Sequence, residues 1–459
     1  MGLMVKEAKM IVTRDIINGD IDFDGYDNNF ICKRINKWKY LFKEKYKLQK
    51  GDVVCLLIVT VNIDHLASAI ACAELGLKIL YTNKPVSMET LHATKLAIYG
   101  PADLIVHDPD ECPHGIFRND AFYTLIEQYG KKLCIRSEID SVHEIEDVYG
   151  IDATEDDNYV FTSTSGTQST SRPVYFTHKD FIVFMNMMIS SLQMTENSVV
   201  YNTVNMHHVA SFVGYLAPSV AIANNNRSLW LDYSNVEEFV DKIIAEEVDN
   251  VHVSAIFLRK ALFDIFEQKK HLFKKRVTFF VTGFLLTEEH HQVSKTLPVN
   301  FLSCYGATEI GPVFIDYVDE TSEYIPNNLG KLIDGISLAH ENDDWYIQSD
   351  LWSGEKKQLP DAIEFDGKNY LFCHRTETPR NLEPFDFRPL LDDTYDKWTL
   401  IYRDGPPDLI IWNEKPVDFS KASVRFDVWC NKIVFLNEED FMDSNKVSME
   451  QVRAYIEQA

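Results

Sequence analysis

Residues 162–171 read TSTSGTQSTS, and Arg172 and Pro173 follow directly. Eight of these ten residues carry a hydroxyl group. Apolar, strand-like residues 159–161 precede the run, and an extended stretch at residues 174–178 follows it. Backbone N–H groups and side-chain hydroxyls in such a loop can wrap phosphates, and the arginine adds a planar charged fork. Composition alone favours the alternative, a solvated Ser/Thr-rich linker.

A second motif, CYGATEIG, occupies residues 304–311. Together the two motifs resemble those of the adenylate-forming superfamily, which comprises acyl-CoA synthetases, luciferases and peptide-synthetase adenylation domains. The superfamily's phosphate loop, TSGTTGxPKGVxxTH, aligns without a gap with residues 164–178, and its YGxTE motif aligns with residues 305–309. The loop departs from the pattern at several positions: Gln168 and Ser169 replace Thr-Gly, Ser171 and Arg172 replace Pro-Lys, and Pro173 replaces Gly.

The resemblance implies an ATP-dependent ligase. It would join a small carboxylic acid to AMP with release of pyrophosphate, and then pass the acyl group to an unidentified nucleophile, such as one on a carrier or partner protein. Most of the rate in such a reaction comes from positioning and charge stabilisation. ATP/AMP and Mg²⁺ are the implied cofactors. The phosphate-binding candidates are Thr164, Ser165, Gly166, Thr167, Ser169 and Arg172.

The YGATE motif is expected to bind the other end of the nucleotide. By resemblance, Tyr305 would stack near the adenine with room granted by Gly306, Ala307 would also contact the nucleotide, and Thr308 would contact the adenylate phosphate. Glu309 would hold Mg²⁺, which needs only one or two protein oxygens when phosphate and water supply the rest. A strand-end turn with a solvated glutamate is the alternative.

The ribose hydroxyls need a carboxylate acceptor, which the superfamily supplies from a TGD motif upstream of an arginine. The sequence contains no TGD. By position, Asp386 is the predicted ribose acceptor and Arg403 its companion, with Asp396 as a competing candidate.

The acid is expected to bind beside residues 206–214, MHHVASFVG, which are similar to a segment that lies next to the substrate carboxylate in the superfamily. His208 is a predicted catalytic residue alongside Arg172 and the motif pair at 308–309. His207 and Gly283 are predicted to line the pocket, and a small acid is favoured. A histidine in an apolar run is more often a hydrogen-bonded core residue, which is the alternative here. His290 and His291 are interpreted as a solvated helix face.

The alternation of apolar strands and helical stretches predicts an α/β fold: two βα subdomains with mostly parallel sheets, a smaller β-rich subdomain and a short C-terminal segment. The predicted strands are residues 53–60, 78–81, 104–106, 199–204, 251–257, 277–281 and 300–303. The large N-terminal domain is placed at residues 1–403, with its β-rich part at about 330–403, and the reduced C-terminal segment at 404–459.

The C-terminal segment lacks a feature of the superfamily, a lysine that reaches the acid and the α-phosphate. Residues 447–459 read VSMEQVRAYIEQA, and neither Lys432 nor Lys446 lies in a matching context. Three interpretations remain open. Adenylation could proceed without that lysine, with Arg172 assuming part of its charge; a partner protein could complete the site; or the chain could be a catalytically inactive subunit that binds nucleotide or acyl group.

Composition narrows the class of protein further. The 459 residues carry a formal charge of −25, which disfavours nucleic acid and anionic membrane surfaces as partners. No apolar run is long enough for a transmembrane span, and the N-terminus lacks a signal-peptide core, so a cytoplasmic location is expected. The eight cysteines lack CxxC spacing and are interpreted as reduced thiols, mostly small core residues.

Overall fold

The structure is a computed structural model of the chain. It describes residues 10–57, 62–81, 102–107, 132–163, 173–204, 209–229, 235–254, 257–258, 260–307, 310–341, 344–348, 356–375, 398–401, 408–412, 433–436, 442–443 and 446–447.

The first part of the chain builds a six-stranded sheet. Its strands, together with two short ones that precede them, are β1 (Asp22–Phe23), β2 (Tyr26–Asp27), β3 (Val53–Leu57), β4 (Lys78–Leu80), β5 (Leu104–His107), β6 (Lys132–Ile135), β7 (Asn158–Ser163) and β8 (Pro173–Thr177). The sheet order is β6-β5-β3-β4-β7-β8, and every neighbouring pair is parallel except β7 and β8. The predicted parallel βα arrangement is confirmed.

The middle of the chain builds a nine-stranded sheet. Its further strands are β9 (Val199–Asn202), β10 (Asn225–Ser228), β11 (Asn250–His252), β12 (Val277–Thr282), β13 (Val299–Ala307), β14 (Gly311–Val318) and β15 (Lys331–Leu332). The order is β15-β14-β13-β12-β11-β9-β10-β1-β2. The strands from β13 across to β10 and β1 are parallel, so their carboxyl ends meet along one edge.

Short strands follow, as the pattern beyond residue 330 predicts. They are β16 (Ser337–Glu341), β17 (Asp344–Gln348), β18 (Lys357–Gln358), β19 (Asp361–Phe365), β20 (Tyr370–Arg375), β21 (Trp398–Ile401), β22 (Asp408–Trp412), β23 (Ile433–Leu436), β24 (Met442–Asp443) and β25 (Lys446–Val447). They form small sheets, and β21, β22 and β23 pair within one of them. This sheet includes strands on both sides of residue 403, the predicted domain boundary.

The helices cover the sheets. They are α1 (Asn28–Tyr40), α2 (Ile63–Glu74), α3 (His178–Ser191), α4 (Val209–Ser211), α5 (Ala217–Ile222), α6 (Val236–Ala245), α7 (Lys260–Lys269) and α8 (Glu288–Thr296). Short 3₁₀ turns lie at Arg14–Ile16, Arg136–Ser141 and Lys270–Leu272, and π-helical turns at Leu41–Lys45 and Phe212–Leu216. Local signals explain the limits of α2: the Asn62 side chain accepts from His65 N at its start, and Gly76 follows its end with φ of 66°.

The two faces of the nine-stranded sheet belong to two separate hydrophobic cores. One face, with Phe280 and Leu302, packs together with α3 and the six-stranded sheet into a single apolar cluster. The other face, with Phe279 and Phe301, packs against α6 and α7. Because the first cluster is continuous, α3 ties the two large sheets together.

The structure also tests expectations about single residues. Of the cysteines described, Cys55, Cys72, Cys134 and Cys304 are buried free thiols, which confirms their interpretation as core residues. The prediction that His290 and His291 form a solvated helix face is wrong, because they lie on the inner side of α8 at 4% and 3% exposure. Among the described residues, no helix combines the length and apolar character needed to cross a bilayer.

Candidate functional site

The predicted site residues divide into two groups. Gly283, Tyr305, Gly306 and Ala307 belong to the part of the chain that the structure describes. The remaining ones lie outside the described residues: Thr164, Ser165, Gly166, Thr167, Ser169, Arg172, His207, His208, Thr308, Glu309, Asp386 and Arg403. The described neighbours of these segments nevertheless fix where each segment enters and leaves the fold.

The hydroxyl-rich loop connects the two strands of a hairpin. β7 and β8 are antiparallel, and Ser163 faces Pro173 in the last registered pair before the loop. After β8, Thr177 caps α3: its hydroxyl accepts from Asp180 N at 3.1 Å, while the Asp180 carboxylate accepts from Thr177 N at 3.0 Å. The closing TH of the loop motif is therefore a helix start, which anchors this end of the loop on α3.

His178, the last residue of the loop motif, is a core residue. It is fully buried, its ring stacks on Tyr159 with centroids 4.7 Å apart, and its Nδ1 accepts from Val12 N at 3.2 Å. Burial lowers the pKa of His178 to about 4, so the imidazole is neutral at physiological pH. It supports the hairpin rather than supplying charge.

Three of the other predicted segments leave the nine-stranded sheet at a common edge. Segment 205–208 comes shortly after β9, Gly283 directly follows β12, and residues 308–309 directly follow β13. These strands are parallel, so the topology brings their carboxyl ends together. Ligands of open α/β sheets bind outside such an edge. Gly283 has φ of 65°, and a Cβ there would meet nothing within 4 Å.

The two glycines of the second motif are required by close contacts. A Cβ on Gly306 would lie 2.3 Å from the Gly311 carbonyl oxygen, next to an irregularity in the pairing of β13 with β14. Gly311 has φ of 74°, and a Cβ there would lie 2.4 Å from the Phe184 ring on α3. Because α3 starts at the end of the hydroxyl-rich loop motif, this contact brings the ends of both motifs to the same helix.

Tyr305 contacts Asp361, a residue that no sequence motif indicated. Its hydroxyl donates to Asp361 Oδ2 at 2.6 Å, and its ring lies 5.8 Å from that of Phe314. Asp361 begins β19, is 4% exposed and is registered with Arg375 across the hairpin. Asp361 lies upstream of Arg375 in the sequence, but it is not part of a TGD motif, so no sequence pattern indicated it. Only the contact with Tyr305 singles out Asp361.

The described residues contain no group of three or more His, Cys, Asp or Glu side chains that could hold a metal ion. A magnesium ion coordinated mainly by phosphate oxygens does not need such a group, since one carboxylate suffices. The predicted carboxylate, Glu309, lies outside the described residues and immediately after β13.

Comparison with known families gives one match: the sequence model of the AMP-binding enzyme family covers residues 42–344. That segment makes up more than half of the chain and includes both motifs. A search of curated protein sequences found no match.

Solved structures share the fold at low sequence identity. MatB from Rhodopseudomonas palustris, in an ATP-bound crystal structure, has 13% identity and a TM-score of 0.64, with 95% of each chain covered. A double mutant of o-succinylbenzoate CoA synthetase (MenE) from Bacillus subtilis, bound to a product analogue, has 14% identity and a TM-score of 0.66, with 96% of each chain covered. The N-terminal subdomain of Klebsiella oxytoca NpsA has 13% identity and a TM-score of 0.60; the match covers 80% of this chain and 100% of that one.

Proposed function

The chain belongs to the AMP-binding enzyme family and is an adenylate-forming ligase that uses ATP to activate carboxylic acids, and from this premise we propose its finer chemistry. It activates a small acid as the acyl-adenylate, releases pyrophosphate, and passes the acyl group to a nucleophile on a carrier or partner protein. Magnesium assists the adenylation step.

One observation supports this proposal most strongly. Gly311, at the end of the second motif, lies against Phe184 of α3, the helix that the phosphate-loop motif starts. Two segments that are far apart in sequence are thereby joined to one helix at the carboxyl edge of the sheet. A single nucleotide between them would meet hydroxyl and backbone donors at one end and the YGATE motif at the other.

Each segment has a distinct role in the proposed reaction. Residues Thr164, Ser165, Thr167, Ser169 and Arg172 hold the β- and γ-phosphates, with Gly166 allowing close backbone approach. Glu309 holds Mg²⁺, which neutralises phosphate charge when bound, and Thr308 donates to the α-phosphate. His207, His208 and Gly283 border the acid, with its carboxylate directed toward the α-phosphorus. Positioning and charge stabilisation supply the rate.

We assign the ribose contact to Asp361 in preference to Asp386. Asp361 is a buried carboxylate that already accepts from Tyr305, the residue proposed to lie beside the adenine. It precedes Arg375, its registered partner, as Asp386 precedes Arg403. A carboxylate next to the base is placed to accept from ribose hydroxyls.

The domain boundary is proposed to lie before β21 rather than at residue 403. β21 and β22 pair with each other across that position. The match to the NpsA N-terminal subdomain leaves about a fifth of this chain uncovered, whereas MenE covers 96% of it. We therefore propose a C-terminal domain that begins between β20 and β21 and includes β21 to β25.

Trapping with hydroxylamine tests the proposed reaction. The full chain is incubated with MgATP, hydroxylamine and a panel of small acids, and both hydroxamate and pyrophosphate are measured. Formation of both with at least one acid is expected. ATP binding without either product across the panel would overturn the proposal and favour a catalytically inactive subunit.

Glu309→Gln tests the proposed magnesium ligand, because it keeps the size of the side chain and removes the charge that holds Mg²⁺. Pyrophosphate release should fall about 100-fold, while thermal unfolding is unchanged. Glu323→Gln, at an exposed carboxylate in the same part of the chain, is the control and should retain full activity. Equal rates in the two variants would remove Glu309 from the site.

A further inference from the structure

Two buried side chains near the carboxyl edge carry polar atoms that lack partners. Asn202, the last residue of β9, is 1% exposed, and neither its amide oxygen nor its amide nitrogen has a hydrogen-bond partner within the described residues. Tyr215, in the turn Phe212–Leu216, is fully buried, and its hydroxyl likewise has none there. Most buried polar groups in proteins are paired, so two unpaired ones require an explanation.

Both side chains belong to one layer on a single face of the sheet, which consists of Asn202, His252, Phe280 and Tyr215. Asn202 is registered with His252 of β11, which is registered with Phe280 of β12, so these residues share a face of the sheet. Val200, two residues before Asn202, and Phe280 both belong to the core facing the six-stranded sheet. The Tyr215 ring covers this layer, 4.8 Å from the His252 ring and stacked on Phe280 at 5.1 Å.

The layer lies beneath the proposed acid and nucleotide positions. Gly283 directly follows β12 and is three residues beyond Phe280, about 10 Å further toward the edge at 3.3 Å per residue. Ala307 is five residues beyond Leu302, which is registered with Phe280. An acid whose carboxylate lies at the edge would therefore point its tail into this layer.

The unpaired atoms are costly unless something binds them. A buried donor or acceptor without a partner destabilises the fold, because it has given up its hydrogen bonds to water and gained none in return. Burial raises the pKa of Tyr215 well above its ordinary value, so its hydroxyl stays neutral. Asn202, His252, Phe280 and Tyr215 include no lysine or arginine, so the layer suits a neutral polar group better than a second carboxylate.

We propose that Asn202 and Tyr215 determine substrate specificity by binding an uncharged hydroxyl or amide group on the tail of the acid. The assignment rests on the proposed function for the position of the carboxylate. An asparagine amide donates and accepts at once, and the tyrosine hydroxyl can do either, so together they match a group that is both donor and acceptor. A site of this kind discriminates strongly against an apolar isostere.

The first test is the stability of the ligand-free protein. Asn202→Leu removes the unpaired amide at nearly constant volume, so Tm should stay the same or rise, and Tyr215→Phe should behave alike. Asn226→Leu is the matched control on the neighbouring strand β10: its Nδ2 donates to Ser219 O and Ala223 O at 3.3 and 2.8 Å, so Tm should fall. If Tm falls as far in Asn202→Leu as in Asn226→Leu, the proposal is overturned, since the Asn202 side chain would then have a structural partner.

The second test compares isosteric acids. The pairs are 4-hydroxybutanoate with pentanoate and 4-hydroxybenzoate with 4-methylbenzoate, measured as kcat/KM in the hydroxylamine assay. The native chain should favour the hydroxylated member of at least one pair by tenfold or more. Asn202→Leu should reduce that ratio at least tenfold with the KM for ATP unchanged. No preference for a hydroxylated acid, or the same ratio in the variant, would overturn the assignment.

Failure of the proposed function gives a different result. If no acid yields hydroxamate, the shift in Tm on adding each acid replaces turnover as the measurement. A larger shift with the hydroxylated member that disappears in Asn202→Leu would support the tail site in a protein that binds acids without activating them. Equal shifts within each pair, or a difference that persists in the variant, would overturn it.

Discussion

Polar groups are buried in two regions of this protein, and the regions differ in how completely those groups are paired. In the first βα region, Lys39 is fully buried and its Nζ donates to Glu74, Asp147 and the Gly150 carbonyl at 3.0, 2.8 and 2.8 Å. Its three donors match three acceptors. Beneath the carboxyl edge of the nine-stranded sheet, by contrast, the side-chain amide of Asn202 has neither a donor nor an acceptor among the described residues.

The buried carboxylates Glu74 and Asp361 differ in the kind of residue that binds them. Burial alone would raise the pKa of Glu74, but hydrogen bonds and charge from Arg14 outweigh it, and the pKa lies below its ordinary value. Arg14 binds both Glu74 oxygens, at 2.9 and 2.7 Å. Asp361 instead accepts from the hydroxyl of Tyr305, a residue of the proposed nucleotide site. Glu74 therefore belongs to a structural network, whereas Asp361 contacts a residue of the proposed site.

Lys39→Met should give the largest effect on stability. The substitution keeps most of the side-chain volume and leaves Glu74 with one cationic partner fewer, so the free energy of unfolding should fall by about 3–5 kcal/mol in urea titration. Lys33→Met is the control, because the Lys33–Glu144 pair is exposed and should contribute no more than about 1 kcal/mol. A loss below 1 kcal/mol in Lys39→Met would show that the network is not structural.

Asp361→Asn should affect nucleotide binding rather than stability. The neutral amide still accepts from Tyr305 but binds ribose hydroxyls less well, so the KM for ATP should rise about tenfold, or about 1.4 kcal/mol. Glu364→Gln, at an exposed position on the same strand, should leave KM unchanged.

Asp386→Asn tests the competing assignment of the ribose contact to Asp386. A rise in the KM for ATP with this variant, together with no change in Asp361→Asn, would return the ribose contact to Asp386 and break the contrast between the two buried carboxylates.

The smallest expected effect is a pH dependence of stability. The folded-state pKa values of His178 and His290, about 4, lie below the ordinary value of 6.5 because burial disfavours the charged ring. Below pH 6.5 the unfolded chain therefore binds protons that the folded chain excludes. Each histidine should lower the free energy of unfolding by about 1 kcal/mol between pH 7.5 and 5.5, and nothing should change above pH 7.5.

His178→Asn checks the assignment of that effect. The asparagine oxygen can replace Nδ1 as the acceptor for Val12 N but does not titrate in this range. Urea titrations at the two pH values should differ by about 1 kcal/mol less in the variant than in the native chain. An unchanged difference would assign the pH dependence to other groups.

The sequence predicted most of the sheet strands because burial on both faces produces apolar runs that turn residues interrupt. The run that became β12 (Val277–Thr282) is an example. The sequence-based prediction was wrong where the outcome depends on which face of a helix is buried. His290 lies among charged residues, yet its ring packs against Phe263, Phe284 and Phe301, because α8 turns that side inward. A run of polar letters does not reveal which side of a helix meets a core.

By itself the sequence determined the family, the α/β class and the two motifs, since these depend on residues that are close together along the chain. Only the tertiary structure decided that Asp361 meets Tyr305, that Gly311 lies against α3, and that Asn202 and Tyr215 face one layer without partners. The physical reason is that hydrogen bonding and close packing act between atoms in contact, and strand register and helix packing, which no local pattern specifies, determine which atoms meet.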